Sequence, residues 1–560
     1  MNRTKNIDVL IVGAGPTGLA LAYQLRRMDV SFRIIEKNAT PSTTSKAIGL
    51  QYRVSELLTW MGLFERFQAK SVSGTSLRFS ANGKQMLHMR LDRLTGMSGR
   101  GAFAPQSVII PQNETEGLLI DALREQGVAV EYHTAFMAFT QDADRVISRL
   151  QTDVGEQLIE SRYLVSCEGA HSVIRKQAGI SFVGKTYPVA YYMADVEADW
   201  PPDHKDIQVW LHEDGMFSAI PMPGMRRWRL FVESSKQVSE GATEVTLDLI
   251  RRLMAERIGD QAVPISNPTW LTEFRISCRM VDRFREQRVF LAGDAAHVHS
   301  PTGGQGITTG LQDAYNLAWK LSLTLHGRAP NSLLDSYSEE RLVAARSVLK
   351  STDSIASIFL AHDRGTQLLR DRIVLPLLGT RAMQKRLTRK TSQLDMNYRD
   401  IGLSAHQEHG LLGRARVRAG DRTPDVLFRD AQTNEQTSLF TLIGRSQLFA
   451  LLGPSEHPEK IARLTHALGR LGIACFQVLP AAAHLAPAAG LIDVTGDFQQ
   501  LYGARGEFLY LIRPDGYVGL FQRPLDERAL RAYLIKLCPA DALDAAFAAP
   551  ELGAPLGHRA

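Results

Sequence analysis

Cysteine is scarce in this chain. There are four among 560 residues (Cys167, Cys278, Cys475 and Cys538), far apart and with no C-x-x-C pair. That argues against a disulfide framework or a zinc site and fits a reducing compartment. Long apolar runs are absent too; none reaches the ~18 residues a spanning helix needs. No charged segment followed by an apolar core precedes the first strand pattern, so neither a signal peptide nor a membrane partner is expected, and the expected location is cytoplasmic. Basic runs interleaved with aromatics are missing. Lys and Arg read as scattered, with a formal net charge of +6, so nucleic acid is not an expected partner. No H-E-x-x-H and no carboxylate triad accompanies His297 and His299, which read as loop or packing residues, and no metal is expected.

What remains is an ordinary globular composition, 44% hydrophobic and 22% charged. The N-terminus carries the strongest signal. Val9 to Val12 form a short apolar run, as a buried parallel strand does. Gly13, Gly15 and Gly18 follow as G-x-G-x-x-G, then Leu19 to Met28 read as a helix. Gly13 allows the tight turn, Gly15 lets the backbone approach a pyrophosphate, and Gly18 lets helix and strand pack closely. The helix N-terminus offers free N–H groups and a partial positive charge. Glu36 ends the second strand about 20 residues on, where a carboxylate accepts ribose hydroxyls. A dinucleotide site is therefore expected. Only one such glycine motif occurs, which argues against two separate dinucleotide domains.

Further along, Pro111 to Glu125 has a helical pattern, and Val128 to Tyr132, Val146 to Thr152 and Tyr163 to Cys167 read as strands. Residues 186–275 are strand-rich, with a helix from Thr243 to Ile258. A buried strand returns at Arg288 to Ala292, followed by a helix from Leu311 to Leu325. The nucleotide domain is thus interrupted and then completed. Residues 332–400 read as mostly helical, Gly410 to Asp425 as a linker, and residues 438–537 as a second βαβ-type pattern closing with a hairpin turned by Arg513-Pro-Asp-Gly516. The tail from Ala540 is expected to be disordered.

The second motif is Val289-Phe-Leu-Ala-Gly-Asp-Ala-Ala-His-Val-His-Ser-Pro-Thr-Gly-Gly-Gln-Gly-Ile-Thr-Thr-Gly310. A buried strand ends at Gly293-Asp294, where a carboxylate can meet sugar hydroxyls. Gly303, Gly304 and Gly306 leave room for a flat ligand, and Thr308 and Thr309 start a helix whose N–H groups can meet an oxygen. Between the two motifs lies Cys167-Glu-Gly-Ala-His-Ser-Val-Ile-Arg175. Together with the helix Leu311-Gln-Asp-Ala-Tyr-Asn-Leu-Ala-Trp-Lys-Leu321, these segments resemble the group A FAD-dependent aromatic hydroxylases of the phenol and polyketide hydroxylase type.

The resemblance implies an α/β protein. A discontinuous Rossmann-like FAD-binding domain would span 1–185 plus 279–345, and a β-rich substrate domain 72–108 plus 186–278. A helical segment over 346–409 and a thioredoxin-like domain over 410–540 would precede a disordered tail, 541–560. It implies that Gly13, Gly15, Pro16, Thr17 and Gly18 bind the FAD pyrophosphate and that Glu36, with Lys37 beside it, binds the adenosine ribose. Lys46 stands where relatives carry Arg near the phosphates, and Gln112 would touch the cofactor. Gly293 and Asp294 would meet the ribityl–pyrophosphate region, and Gly304, Gly306 and Ile307 the flavin. Gly306, Ile307 and the Pro301 carbonyl form the expected catalytic edge. Glu168 replaces the family's Asp in a motif serving FAD and NADPH, and Arg175 would supply a phosphate-directed cation. Tyr192, Trp210, Phe217, Met222, Pro223 and Trp228 are the expected apolar lining for a planar ring. No residue stands out as a catalytic base.

The implied activity is hydroxylation of a phenolic or polycyclic aromatic compound through a flavin C4a-hydroperoxide, with FAD, NADPH or NADH, and O2. Alternatives are epoxidation, Baeyer–Villiger oxidation, or flavin binding without turnover, the last supported only by Glu168 and Lys46. A homodimer is a family expectation. The C-terminal stretch Leu452-Gly-Pro-Ser-Glu-His-Pro458 holds no cysteine pair, so thiol redox chemistry is not expected there.

Overall fold

A computed structural model describes residues 7–81, 83–90, 102–200, 205–234, 244–301, 304–359, 363–409, 415–481 and 490–548. The chain divides into two compact units. The first comprises Met1–Ser98, Phe103–Ser322 and Tyr337–Asn397; the second comprises Gly99–Ala102, Leu323–Ser336 and Tyr398–Ala560.

The first unit holds two large sheets. In one, strands Phe32–Ile35, Ile7–Val12, Gly155–Ser166 and Val289–Leu291 lie side by side in parallel. Val9, Leu10 and Ile11 are wholly buried, because helices and loops cover both faces of a parallel sheet. The helix Pro16–Arg27 starts with Pro at its first position, where no N–H is needed, and ends with Arg26 and Arg27 in its last turn. It buries Leu19, Leu21 and Leu25. Strands Ala135–Gln141 and Val146–Thr152 join antiparallel at the far end of Gly155–Ser166. The strand expected over Val128 to Tyr132 is not formed; only Glu131 bridges to Ile35.

The second sheet runs in the order His297–Val298, Ile265–Val281, Phe182–Ala198, Arg227–Glu233, Gly215–Pro221, Asp206–His212, Ser76–Ala81, Lys84–Arg90. Side chains alternate between its faces. One face packs on the helix Leu247–Ile258 through Tyr192, Trp210, Phe217, Trp228, Ile250 and Met254. The opposite face carries Tyr191, Phe231 and Phe274, and, towards the Ser76–Ala81 end, Phe79, Val209 and Leu211 under Leu375 and Leu378. The helix expected from Leu311 starts earlier and spans Gly306–Leu325.

The second unit has its own eight-stranded sheet, in the order Ala405–Glu408, Val518–Arg523, Leu509–Ile512, Phe449–Leu452, Ala474–Pro480, Gly490–Asp493, Leu427–Asp430, Gln436–Ser438. Three expectations change here. The segment expected to be helical to residue 409 ends in a strand, Ala405–Glu408, parallel to Val518–Arg523. The expected linker is packed rather than loose over its described part: Ala415, Val417, Thr423 and Asp425 are buried, and the Tyr510 hydroxyl donates to the Val417 carbonyl at 3.0 Å. The tail expected to be disordered forms a helix, Ala540–Phe547, because Leu543 and Ala546 bury one side of it. Residues 549–560 lie outside the described residues.

Phe217 sits at 0% exposure in the middle of the helix-facing core. Phe217→Ala is expected to lower the unfolding free energy by about 3–5 kcal/mol, read from the denaturant midpoint. Phe217→Leu should leave ligand affinity unchanged, as a core position requires and a ligand-contacting one does not allow.

Candidate active site

The N-terminal turn is built from close approaches. A Cβ on Gly13 would lie 2.4 Å from the Cys167 carbonyl oxygen, and one on Gly18 would lie 2.0 Å from the Gly13 oxygen. Gly13 also has φ +104°, a region L side chains rarely occupy. Gly15 differs: nothing lies within 4 Å of its Cβ position. It caps the helix, and no side chain bonds to the helix's first N–H groups. Pro16 opens the helix. Thr17 faces the second motif, since Cβ atoms on Gly293 and Gly310 would lie 2.6 and 2.3 Å from its Oγ1. The two glycine motifs are therefore in contact.

Glu36 stands at the strand end, half-buried. Its carboxylate accepts from the Ala14 N–H at 3.0 Å and from the Asn38 backbone and side chain at 3.1 and 2.7 Å. Lys37 beside it is exposed. The Gln112 N–H donates to the Ser45 hydroxyl and the Ala47 carbonyl at 2.8 and 2.9 Å, so Gln112 and Lys46 adjoin. The Lys46 charge is felt at both Glu116 and Asp294. Asp294 is open to solvent yet hemmed in by protein, as on the floor of a cleft. That crowding raises its carboxyl pKa, against the pull of His297 and Lys46.

Two groups here were not singled out in the sequence. Glu116, which accepts from the Gln112 amide at 2.8 Å, is buried, and burial pushes its carboxyl up to about 7. The Tyr132 hydroxyl is buried without a hydrogen-bond partner and feels the charges of Glu36 and Glu116. A carboxylate can be guessed from helix position, but its burial depends on tertiary packing.

Behind the second motif, Asp313 is completely buried. Its carboxylate accepts from the Gly293 N–H at 2.8 Å, His297 Nε2 at 2.8 Å and Arg341 Nε. Burial alone would push this carboxyl up, but Arg341, His297 and the Gly293 N–H outweigh it and hold it low. His297 is thus buried and engaged with Asp313. In the neighbouring loop the Gly304 N–H donates to the Pro301 carbonyl at 2.9 Å, so that expected catalytic carbonyl is already part of a turn. Gly303 lies outside the described residues. The helix opens at Gly306 and Ile307, and Thr308 accepts from the Gln51 N–H at 3.0 Å. His299 donates from Nδ1 to the Ser300 carbonyl at 2.9 Å. Its other nitrogen, Nε2, is buried without a hydrogen-bond partner, 3.8 Å from a Cβ position on Gly306. Burial pushes its pKa down to about 4, so the ring is neutral and Nε2 is an acceptor.

Two sequence expectations are corrected, those for Arg175 and for the substrate lining. Glu168 is engaged within its own motif. Its carboxylate accepts from the Ser166 and Ser172 hydroxyls at 2.9 and 2.6 Å and from the Val173 and Ile174 N–H groups at 3.3 and 3.1 Å. Arg175 is not phosphate-directed: it is 4% exposed, donates to the Ala295 and Ala170 carbonyls, and stacks on Phe182. Most of the substrate lining is core. Tyr192, Trp210, Phe217 and Trp228 are buried on the face covered by helix Leu247–Ile258, with the Trp210 indole donating to Gln261 at 2.7 Å. Met222 is buried as well, and Pro223 is half-buried. The aromatics not so covered are on the other face. Tyr191 stacks on Phe231 and Phe274 at centroid distances of 5.1 and 5.9 Å, and the latter two are only partly buried. Cys278 of the same cluster lies against the Ser300 backbone, at the edge of the glycine loop.

This cleft fits FAD. A backbone cradle with open space at Gly15, uncapped helix N–H groups, a strand-end carboxylate and the unpartnered Tyr132 hydroxyl are what a dinucleotide needs. The FAD binding domain family model matches residues 6–352. The chain belongs to this family. It is 32% identical to a flavin-dependent monooxygenase of Mycobacteroides abscessus over 92% of this chain and 97% of that one. It is 29% identical to pentachlorophenol 4-monooxygenase of Sphingobium chlorophenolicum, over 94% and 97%. The solved structure of aklavinone-11 hydroxylase with FAD and aklavinone matches 96% of this chain and all of its own, at 25% identity and TM-score 0.79. This member is an FAD-dependent monooxygenase.

Two tests follow from the geometry. Gly15→Ala meets nothing and has an ordinary φ of −74°, so the fold should hold while flavin occupancy drops at least tenfold. Gly18→Ala should lower both melting temperature and occupancy. Bound-flavin absorbance and thermal melts separate the two. Glu116 supplies a pH test. Below its ordinary pKa of 4.5 both folded and unfolded chains hold the proton; above about 7 the folded chain carries a buried charge. The unfolding free energy should therefore fall across that window by about 3 kcal/mol. Glu116→Gln should remove the fall, read as denaturant midpoints at pH 5 and 8.

Proposed function

We propose that this enzyme hydroxylates the ring of a phenolic or polycyclic aromatic compound, consuming NADPH or NADH and O2. The observation that carries this reading is the aromatic face of Tyr191, Phe231 and Phe274, joined through Cys278 to the Ser300 backbone beside the glycine loop. A flat ring can stack there while its edge points at the start of the Gly306–Leu325 helix. FAD, when bound, supplies the redox chemistry that delivers one oxygen atom of O2 to the ring and releases the other as water.

The chain's own residues bind and orient. Gly13 to Gly18 and Glu36 hold the dinucleotide end, and Lys46, Gln112, Gly293 and Asp294 its middle. The Gly304 turn, with the Gly306 and Ile307 N–H groups, receives the flat ring system. His299 Nε2 accepts a hydrogen bond from a hydroxyl or N–H placed beside Gly306. The enclosing sheet keeps water from the ring. Related proteins are named for pentachlorophenol and for aklavinone, which supports an aromatic substrate class. Glu168, one of the two reasons for a reading without turnover, is engaged by four donors and so has a place in the fold.

In this reading residues 1–185 with 279–345 form the FAD domain, and 72–108 with 186–278 the substrate domain. The C-terminal unit is thioredoxin-like, the location is cytoplasmic, and NADPH shares the FAD groove.

The test is stopped-flow flavin reduction with NADPH and NADH across a panel of phenols and polycyclic phenols, followed by product analysis under 18O2. Substrate-accelerated reduction and one 18O on a ring carbon are expected. Bound flavin that neither nucleotide reduces, or label in an epoxide or ring-opened ester, overturns the reading. Phe231→Ala should raise KM roughly tenfold, the loss of about one aromatic stacking contact.

A further inference from the structure

The surplus charge of this chain is not spread over it. From residue 363 to 391 there are eight Lys or Arg and two Asp, a net +6, which equals the formal net charge of the whole chain. Outside this segment the charges balance. One of the Asp, Asp371, pairs with the buried Arg370 at 2.7 Å. Six of the other seven cations, Arg372, Arg381, Lys385, Arg386, Arg389 and Lys390, are exposed. The same segment also exposes apolar side chains. Leu368, Leu369, Ile373, Leu377 and Met383 are 37–53% exposed, and they are five of the thirteen exposed large apolar side chains among the described residues.

The backbone explains how both sets come to face outward. Arg364–Leu369, Arg370–Val374 and Leu375–Leu378 are consecutive helical turns, the middle one π-type. Leu375 and Leu378 point inward, against Phe79, Val209 and Leu211 of the substrate sheet. The opposite side of these turns then carries Leu368, Leu369, Ile373 and Leu377. The following helix, Arg381–Thr391, buries only Thr388 fully and has no acidic residue.

We propose that this segment docks the enzyme onto the surface of an anionic lipid bilayer. An amphipathic helical surface with aliphatic side chains and a flank of Lys and Arg is what an interface between headgroups and acyl chains binds. A second copy of the chain fits poorly, because a symmetric contact would bring two uncompensated basic helices together. Nucleic acid would neutralise the cations but leave the aliphatic cluster in water. No membrane partner is expected from the sequence, since no stretch is long and apolar enough to cross one. Among the described residues none of the helices is. Docking at the surface needs no such helix. The proposal is independent of the substrate assigned above.

The test is co-sedimentation of the flavin-loaded full chain with phosphatidylcholine vesicles, with and without 30% phosphatidylglycerol. Binding is expected to the anionic vesicles only, falling at least tenfold in 0.5 M salt. Two exposed-site variants, Ile373→Glu with Leu377→Glu, and Lys385→Glu with Arg386→Glu and Arg389→Glu, should each lose at least tenfold in binding while flavin content and melting temperature stay unchanged. No binding to anionic vesicles overturns the proposal, as does binding that both variants retain. A concentration-dependent dimer that the Ile373→Glu, Leu377→Glu variant abolishes would assign the face to a second copy instead. Retention on duplex DNA that only the charge variant loses, with no vesicle binding, would assign it to a polyanion.

Discussion

The site depends on how closely the Pro16–Arg27 helix approaches its neighbours. Thr17 fits between Gly293 and Gly310, Gly18 lies against the Gly13 carbonyl, and Gly13 lies against the Cys167 carbonyl. A Cβ at Gly13 or Gly18 would have to push backbone apart, and one at Gly293 or Gly310 would displace the Thr17 side chain. Glycine costs conformational entropy on folding, so glycines are kept where a contact requires them. These join segments distant in sequence into one cleft floor. Asp294 follows Gly293 directly, and the Gly306–Leu325 helix runs through Gly310, so both inherit their position from this contact. Gly15 is the informative exception, because the space it leaves is empty of protein.

Behind that floor, the Asp313 carboxylate fixes the angle between the Gly293 turn and the Gly306–Leu325 helix. A buried carboxylate is tolerated only when its charge and lone pairs are met. Arg341, His297 and the Gly293 N–H meet them. The neighbouring Lys320–Glu340 pair, at 2.8 Å with both side chains fully buried, repeats the arrangement further along the same helix. Breaking such a pair by removing one member leaves an uncompensated charge and costs about 3–5 kcal/mol. These groups tie the Gly293 turn and Arg341 to the Gly306–Leu325 helix.

The dinucleotide cleft was legible in the sequence because its constraints are local. A tight turn, a close helix and a strand-end acid leave residue types at fixed spacing. Which aromatics helix Leu247–Ile258 covers was not legible, for a reason that strand geometry supplies. Tyr192 and Tyr191 are adjacent, and alternation sends one under helix Leu247–Ile258 and the other, also buried, to the opposite face beside the partly buried Phe231 and Phe274. Choosing by size favoured Trp210, Trp228 and Phe217, which are large because they fill the space under helix Leu247–Ile258. Nothing in one strand's composition says which face a distant helix will cover. Arg175 failed similarly: its charge was visible, but not the two carbonyls that turn it inward. The scattered look of the basic residues failed for want of subtraction, since the balance of the rest of the chain emerges only when one segment is set aside.

That segment also bears on the cleft. Just beyond the Arg381–Thr391 helix, Gln393 is 2% exposed and holds a left-handed backbone, φ +59°. Its amide donates to Gln305 Oε1 at 3.1 Å and to the Thr309 hydroxyl at 3.0 Å, and its oxygen accepts from Gln312. Three residues at the start of the Gly306–Leu325 helix are thus tied to one residue at the end of the basic segment. A left-handed non-glycine residue persists only where its surroundings hold it, and here they do so with three side-chain hydrogen bonds. Leu375 and Leu378 anchor the other end of the segment on the substrate sheet. The segment therefore spans from the sheet that carries the aromatic face to the helix that presents Gly306 and Ile307. Three buried side-chain hydrogen bonds thus tie a residue just beyond the basic helix to the helix that presents Gly306 and Ile307.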